Sequence, residues 1–181
     1  GLSIERDAYL FQEKQSLDET AFDLDTCLLM ARWSEYAYSF RGDFLDGYEV
    51  EIIKDEKTDS ICLVALNENS SKIIISFQGS VGDVRDILTN AFLFHAGYDN
   101  PNLMGATTRI HSGYYYAVLQ IKDKIDYKVK QLLLKEPNAQ IFVCGHSKGG
   151  GQAYIYTLLN TLFDFAGIYT FGSPRVFNKS G

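Results

Sequence analysis

The sequence predicts an α/β layered fold with a mainly parallel sheet and helices on both faces. Short apolar runs typical of buried strands alternate along the chain with stretches whose apolar residues have helical spacing. From Ile61 onward the order is two strands, helix, strand, helix and strand, which favours parallel pairing through helical crossovers. One of these strands leads directly into a glycine-rich turn and a helix. We expect residues 1–18 to form a polar lead-in and residues 19–181 to form one domain.

The helices are predicted from amphipathic spacing. The expected ranges are about 20–38, 83–92, 113–135 and 152–163. A loop rich in Gly, Asn and Pro is expected to run through Thr108 and to separate the second helix from the third. In the third helix, the spacing of Asp126 and Lys130 predicts a favourable ion pair.

Four strands are predicted from apolar runs of four to six residues, and one is predicted from alternation. Their expected ranges are 48–52, 61–66, 73–77, 141–144 and 168–171. The first alternates between polar and apolar residues, which indicates one solvated face. The others are continuously apolar, as expected for strands buried on both faces. Strands 61–66 and 73–77 are expected to be neighbours in the sheet.

Composition and charge limit the functional classes. The net charge of -6 and the lack of a basic cluster argue against binding to nucleic acid. No apolar run approaches the roughly 18 residues of a membrane span, and the first residues do not resemble a secretory leader. The sequence therefore indicates no compartment. Cys27, Cys62 and Cys144 are widely spaced, which favours buried free thiols over a metal site or a disulfide framework.

The segment Gly145-His146-Ser147-Lys148-Gly149 has the G-x-S-x-G pattern between a predicted strand and a predicted helix. In this setting the turn holds its serine in a strained conformation, at the carboxyl end of a strand and with an exposed hydroxyl. Gly145 and Gly149 are expected because a Cβ at either position would collide with the turn. The alternative is a phosphate-binding loop, but the segment lacks the spacing and the lysine placement of a P-loop. We predict that Ser147 is a nucleophile.

Four segments resemble those of the class 3 lipases, a family of fungal-type triacylglycerol lipases with the α/β-hydrolase fold. They are residues 73–80 (IIISFQGS), 110–114 (IHSGY), 143–150 (VCGHSKGG) and 169–176 (YTFGSPRV). The resemblance implies hydrolysis of lipid or similar acyl esters. It also implies that Ser80 and the backbone N–H of Lys148 form an oxyanion hole, and that residues 81–88, with Asp86, form a lid. Gln78 and Lys148 depart from the family pattern, which has Arg and Leu there.

A serine nucleophile needs a base, and the base needs an acid that orients it. The α/β-hydrolase order places both after the serine, where this sequence has Asp164 and no histidine. Asp164 is rejected because it follows the helix after the turn rather than a later strand. His95, His111 and His146 precede the serine and are also rejected. The acid and base are therefore expected beyond Gly181, so that the domain lacks its C-terminal part and the 181 residues alone are inactive.

The leading hypothesis is a lipase or carboxylesterase. Two alternatives remain: an acyltransferase or thioesterase on the same fold, and a non-catalytic lipid-binding module. The expected partner is a lipid or a small acyl ester, with transient contact at a lipid interface. Neither a metal nor an organic cofactor is implied, since side chains and backbone suffice for this chemistry. Early termination of the sheet predicts an exposed edge through which the chain could form an oligomer.

Overall fold

The computed structural model describes residues 24–39, 47–79 and 101–172, with the backbone alone at residues 39 and 101–112. The elements in chain order are α1 (Leu24–Ser39), β1 (Glu49–Asp55), β2 (Ser60–Asn67), β3 (Lys72–Phe77), α2 (Pro101–Lys135), β4 (Gln140–His146), α3 (Lys148–Leu159) and β5 (Phe165–Phe171). The expected lead-in at residues 1–18, the helix at 83–92 and the lid at 81–88 lie outside the described residues. The single-domain boundary at residue 19 stays a prediction.

The five strands form one mixed sheet in the order β1-β2-β3-β4-β5. β1, β2 and β3 are joined by antiparallel pairing, whereas β3, β4 and β5 run parallel. The predicted neighbours β2 and β3 are confirmed as an antiparallel pair. In the parallel half, Phe77 lies opposite Gly145, and His146 lies opposite Phe171. The carboxyl ends of β3, β4 and β5 therefore meet at one edge of the sheet.

Helices cover both faces of the sheet, as predicted, and each face has its own apolar core. Helix α1 covers one face with Cys27, Met30, Trp33 and Ala37, which pack with β-strand residues such as Phe142 and Tyr169. On the other face, α2 and α3 pack over the strands, and Val118, Ile121, Ile125, Val129 and Leu132 form the buried stripe of α2. Together with the mixed sheet, these layers confirm the α/β class. None of the helices in the described residues is both long and apolar enough to span a membrane.

Three features of the helices differ from the sequence prediction, and the first is the range of α3, which is Lys148–Leu159 rather than 152–163. Helix α2 begins at Pro101, so the loop expected through Thr108 is wrong over residues 101–108. Proline is well suited to the first position of a helix, where its missing N–H has no intrahelical acceptor to lose. Asp126 contacts Lys122, one turn before it, rather than Lys130. The carboxylate faces inward and is buried, whereas Lys130 is exposed.

β5 lies at the end of the described sheet. It pairs with β4 on one side, and no other described strand pairs with it. Its first four residues are half-buried or exposed, and its last three are buried. Oligomerisation through this edge stays a prediction.

Candidate active site

The turn between β4 and α3 has the strained geometry that the sequence predicts. β4 ends at His146, α3 begins at Lys148, and Ser147 lies between them with φ 55° and ψ −122°. A positive φ is unfavourable for a residue with a Cβ, and such strain persists only where the surrounding structure enforces it. The predicted strand–turn–helix setting of Ser147 is confirmed.

Two glycines make this turn sterically feasible. A Cβ at Gly145 would lie 2.2 Å from the carbonyl oxygen of Gly149, and a Cβ at Gly149 would lie 2.4 Å from the carbonyl oxygen of Phe77. Both obstacles are backbone atoms, which a side-chain rotation cannot clear. The predicted steric requirement for glycine at these two positions is therefore confirmed.

Hydrogen bonds fix the turn from both sides. The amide of Ser147 donates to the carbonyl of Phe171 on the neighbouring strand, at 2.8 Å. Its own carbonyl accepts from the amides of Gly150 and Gly151, at 3.0 and 3.3 Å. Lys148 occupies the first helical position, where an amide has no acceptor within the helix. The Lys148 N–H is thus available to an external acceptor at the edge where Ser147 lies.

The Ser147 hydroxyl is buried, which corrects the prediction that it is exposed. The residue is 1% exposed, and its Oγ has no hydrogen-bond partner among the described residues. A buried hydroxyl without a partner among the described residues is uncommon, because buried polar side chains are nearly always hydrogen-bonded.

The chain that leads to Ser80 passes beside the turn. A Cβ at Gly149 would lie 2.9 Å from the amide nitrogen of Gly79, and a Cβ at Gly79 would lie 2.6 Å from the carbonyl oxygen of His146. Ser80 follows Gly79 directly but lies outside the described residues, so its role stays a prediction. The structure brings Ser147, the Lys148 amide and the end of the segment before Ser80 to one place.

Sequence reasoning missed Tyr38 at the end of α1. Its hydroxyl lies 2.8 Å from Nδ1 of His146 and 3.3 Å from the carbonyl oxygen of the same residue. The two residues are 108 positions apart in the chain, and no local pattern marks the contact. The imidazole of His146 thus faces Tyr38 and makes no hydrogen bond with Ser147 Oγ.

The rejection of Asp164 as the acid agrees with its position. Asp164 is exposed and directly precedes β5, whose first residue lies opposite Ile141 near the start of β4. Because a strand rises about 3.3 Å per residue, Asp164 lies about 20 Å along the sheet from the turn. His95 and the side chain of His111 lie outside the described residues.

Cys62 and Cys144 are buried free thiols, as predicted, and Cys27 is buried as well. Cys144 comes three residues before Ser147, and burial raises the pKa of its thiol to about 11. Burial also raises the pKa of Cys62 well above its ordinary value. Since the thiolate is the nucleophilic form, these two side chains are unreactive near neutral pH. Ser147 is the better candidate nucleophile.

A strained serine between a parallel strand and a helix, with glycines two residues before and after it, is the nucleophile elbow of the α/β-hydrolases. The model of the class 3 lipase family matches residues 74–180, which contain the elbow and most of the sheet's parallel half. The chain belongs to the class 3 lipase family.

Individual relatives agree with this assignment. The chain is 28% identical over 126 residues to the secreted mono- and diacylglycerol lipase A of Penicillium cyclopium, a match that covers 68% of this chain and 39% of that protein. It is 36% identical over 73 residues to the triacylglycerol lipase OBL1 of Nicotiana tabacum, covering 34% of this chain and 13% of that protein. The chain therefore spans well under half the length of these relatives.

Solved structures show the same fold. The Lip2 lipase of Yarrowia lipolytica superposes with a TM-score of 0.55 at 20% identity, covering 84% of this chain and 60% of that one. Lipase II of Rhizopus niveus superposes with a TM-score of 0.56 at 18% identity, covering 78% and 58%.

Proposed function

We propose that the full-length protein hydrolyses acyl esters of lipids, with Ser147 as its nucleophile. The observation that carries the proposal is the elbow itself. Ser147 has a positive φ, Gly145 and Gly149 cannot be replaced without backbone collisions, and the buried hydroxyl has no described partner. None of these features stabilises the fold. The backbone strain and the buried hydroxyl are explained if Ser147 attacks a substrate carbonyl.

The oxyanion hole is proposed to consist of the Lys148 amide and Ser80. Attack by Ser147 places a full negative charge on the carbonyl oxygen, and preorganised donors stabilise that charge most when water is excluded. The Lys148 amide is supported by its position at the start of α3, where the helix offers it no acceptor. Ser80 is supported by the contact of Gly79 with the elbow. The half-buried Lys148 side chain is not needed for this role, because only its backbone N–H donates.

The triad acid and base are proposed to lie outside these 181 residues. Within the described part, Ser147 Oγ has no histidine partner, and the sequence after it contains none. Asp164 lies at the wrong edge of the sheet. In the full-length protein, a histidine would accept the Ser147 proton and a carboxylate would orient that histidine.

The substrate is proposed to be a glycerolipid ester, in keeping with the names of the relatives from Penicillium and Nicotiana. A substrate of this kind is held at a lipid–water interface, so transient contact with lipid is part of the proposal. Residues 81–88, the proposed lid, follow directly after Ser80 in the sequence.

The test compares ester hydrolysis by the full-length protein with that of Ser147→Ala. We expect the wild type to release p-nitrophenol from p-nitrophenyl esters and fatty acid from emulsified acylglycerols. Loss of the nucleophile is expected to lower kcat by at least about a thousandfold. Ser70→Ala is the matched control, since Ser70 is exposed in the turn between β2 and β3 at the opposite edge of the sheet.

Product analysis separates the alternatives. Free fatty acid as the main product supports a hydrolase, whereas transfer of the acyl group to an added alcohol or thiol in preference to water would show an acyltransferase. Saturable lipid binding with no turnover by the wild type would show a binding module and would overturn the proposal.

A further inference from the structure

Tyr38 joins two segments that lead into the proposed oxyanion site. Its hydroxyl contacts both Nδ1 and the carbonyl oxygen of His146, the residue before the nucleophile. The same hydroxyl fills the space beside Gly79, where an added Cβ would lie 2.0 Å from it. One hydroxyl group therefore lies where the exit of β3 and the exit of β4 converge.

The proton arrangement explains how both contacts with His146 are made. A tyrosine hydroxyl has one proton to donate and can also accept. Both contacts are satisfied when Tyr38 donates to the His146 carbonyl and accepts from the protonated Nδ1 of the ring. Loss of the hydroxyl would leave the ring nitrogen without this partner. It would also remove a hydrogen-bond donor from the His146 carbonyl, just before Ser147.

The helix that carries Tyr38 is itself fixed to β3 and to the residue after it. Gln78 Nε2 donates to the carbonyl of Ala37, at 2.7 Å, and Ser76 Oγ donates to the carbonyl of Trp33, at 2.9 Å. Ala37 is in the last turn of α1, where carbonyls lack intrahelical donors. Gln78 thus anchors the carbonyl next to Tyr38, and this role accounts for a buried amide at a position where the family pattern has arginine.

We infer that Tyr38 is a positioning residue for the reaction at Ser147, with Gln78 as the anchor of its helix. The inference rests on the proposed function. By holding His146 against Gly79, Tyr38 fixes the elbow relative to the segment that leads to Ser80, and so sets the spacing of the two oxyanion donors. Small displacements of such donors lower the rate of the chemical step more than they weaken substrate binding.

The test uses Tyr38→Phe in the full-length protein, with Tyr36→Phe as the matched control. Tyr36 is a half-buried tyrosine of the same helix whose ring packs on Trp33, and its hydroxyl has no hydrogen bond among the described residues. We expect kcat of Tyr38→Phe to fall about tenfold while KM stays within about twofold, and we expect a boronic acid inhibitor, which mimics the tetrahedral intermediate, to bind about tenfold more weakly. Tyr36→Phe is expected to match the wild type.

The outcomes separate this inference from the proposed function. If the wild type is active and Ser147→Ala is not, but Tyr38→Phe keeps wild-type kcat and inhibitor affinity, the positioning role is wrong and the hydrolase stands. An inactive wild type would overturn both. Should Tyr38→Phe not fold, Gln78→Met removes the anchor at similar volume. A several-fold loss of kcat at constant KM supports the inference there, and unchanged kcat contradicts it.

Discussion

Buried polar groups lie at both ends of helix α3. Those at the carboxyl end are hydrogen-bonded, whereas those at the amino end have no partner among the described residues. At the carboxyl end, the Tyr156 hydroxyl and the Asn160 amide donate to Oδ1 of Asp126, at 2.7 and 2.8 Å. Lys122 contacts the other oxygen of that carboxylate. At the amino end, Ser147 Oγ and both polar atoms of the Gln152 side chain are buried without a partner among the described residues.

The carboxyl end of α3 therefore stabilises the fold, whereas the amino end has features typical of a functional site. The satisfied network fixes α3 to α2 across the apolar core, and each of its donors has an acceptor. The amino end carries backbone strain and polar groups that have no partner in the described part of the chain. Features of this kind lower stability, and proteins retain them mainly at functional sites. Firm attachment at one end can thus hold a strained turn at the other.

The largest effect on stability is expected at the amino end of α3, where the turn at Ser147 is strained. Gly145→Ala would place a Cβ against the Gly149 backbone, so we expect it to lower the free energy of unfolding by about 4 kcal/mol or to prevent folding. Gly113→Ala in the middle of α2 meets nothing within 4 Å and should raise stability by up to about 1 kcal/mol. Urea unfolding of both variants measures the contrast. Equal stability of Gly145→Ala and wild type would show that the elbow is not as tight as described.

The next largest effect on stability is expected at the carboxyl end of α3, where the buried polar groups are hydrogen-bonded. Asp126→Ala leaves the Tyr156 hydroxyl and the Asn160 amide buried without their acceptor, and we expect a loss of about 3 kcal/mol in unfolding free energy. Asp123→Ala, an exposed carboxylate on the same helix, should change stability by less than about 0.5 kcal/mol. If the two variants have the same thermal midpoint, the network does not fix α3 to α2.

Alkaline pH probes the same network through Tyr156. Burial, together with its hydrogen bond to Asp126, holds the pKa of Tyr156 far above its ordinary value of 10.0. Above that pH the unfolded chain releases the phenolic proton while the folded chain keeps it. Stability is therefore full below pH 10 and decreases as the pH rises further.

Denaturation at several alkaline pH values tests this expectation. Tyr156→Phe should have a slope shallower by up to about 1.4 kcal/mol per pH unit. Tyr127→Phe, at a ring that is 66% exposed, should keep the wild-type slope. Identical slopes for Tyr156→Phe and the wild type would rule out the coupling.

The smallest expected effect returns to the amino end of α3. Gln152 is 1% exposed, and neither of its amide atoms has a described partner. Replacing it by leucine removes an unpaired buried amide at similar volume, so we expect Gln152→Leu to raise the free energy of unfolding by about 1 kcal/mol. Calorimetry measures this shift, and a lower thermal midpoint would mean that the amide has a partner in the folded protein.

The sequence predicted the features that depend on local pattern. Apolar runs predicted four of the five strands, polar–apolar alternation predicted the first, and the glycines around Ser147 predicted the strained turn. The start of α2 was missed because Asn, Gly and Pro at residues 99–105 resemble a loop, although Pro101 is a good first helical residue. Pro101 was a signal for a helix start, but the loop-like composition of residues 99–105 outweighed it.

Contacts between distant segments could not be predicted in the same way. The bond of Tyr38 to His146 depends on α1 covering the sheet at β4, which no spacing in the sequence reveals. Burial of the Ser147 hydroxyl likewise depends on tertiary packing. The inward direction of Asp126 is set by partners on α3, so helical spacing alone suggested the wrong lysine.

The identity of the nucleophile can be measured directly with a fluorophosphonate, whose phosphorus is attacked by an activated serine with loss of fluoride. We expect peptide mass spectrometry of the labelled full-length protein to find a single adduct, on Ser147, and we expect Ser147→Ala to remain unlabelled and inactive. An adduct on a different serine, or ester hydrolysis that survives Ser147→Ala, would contradict the account.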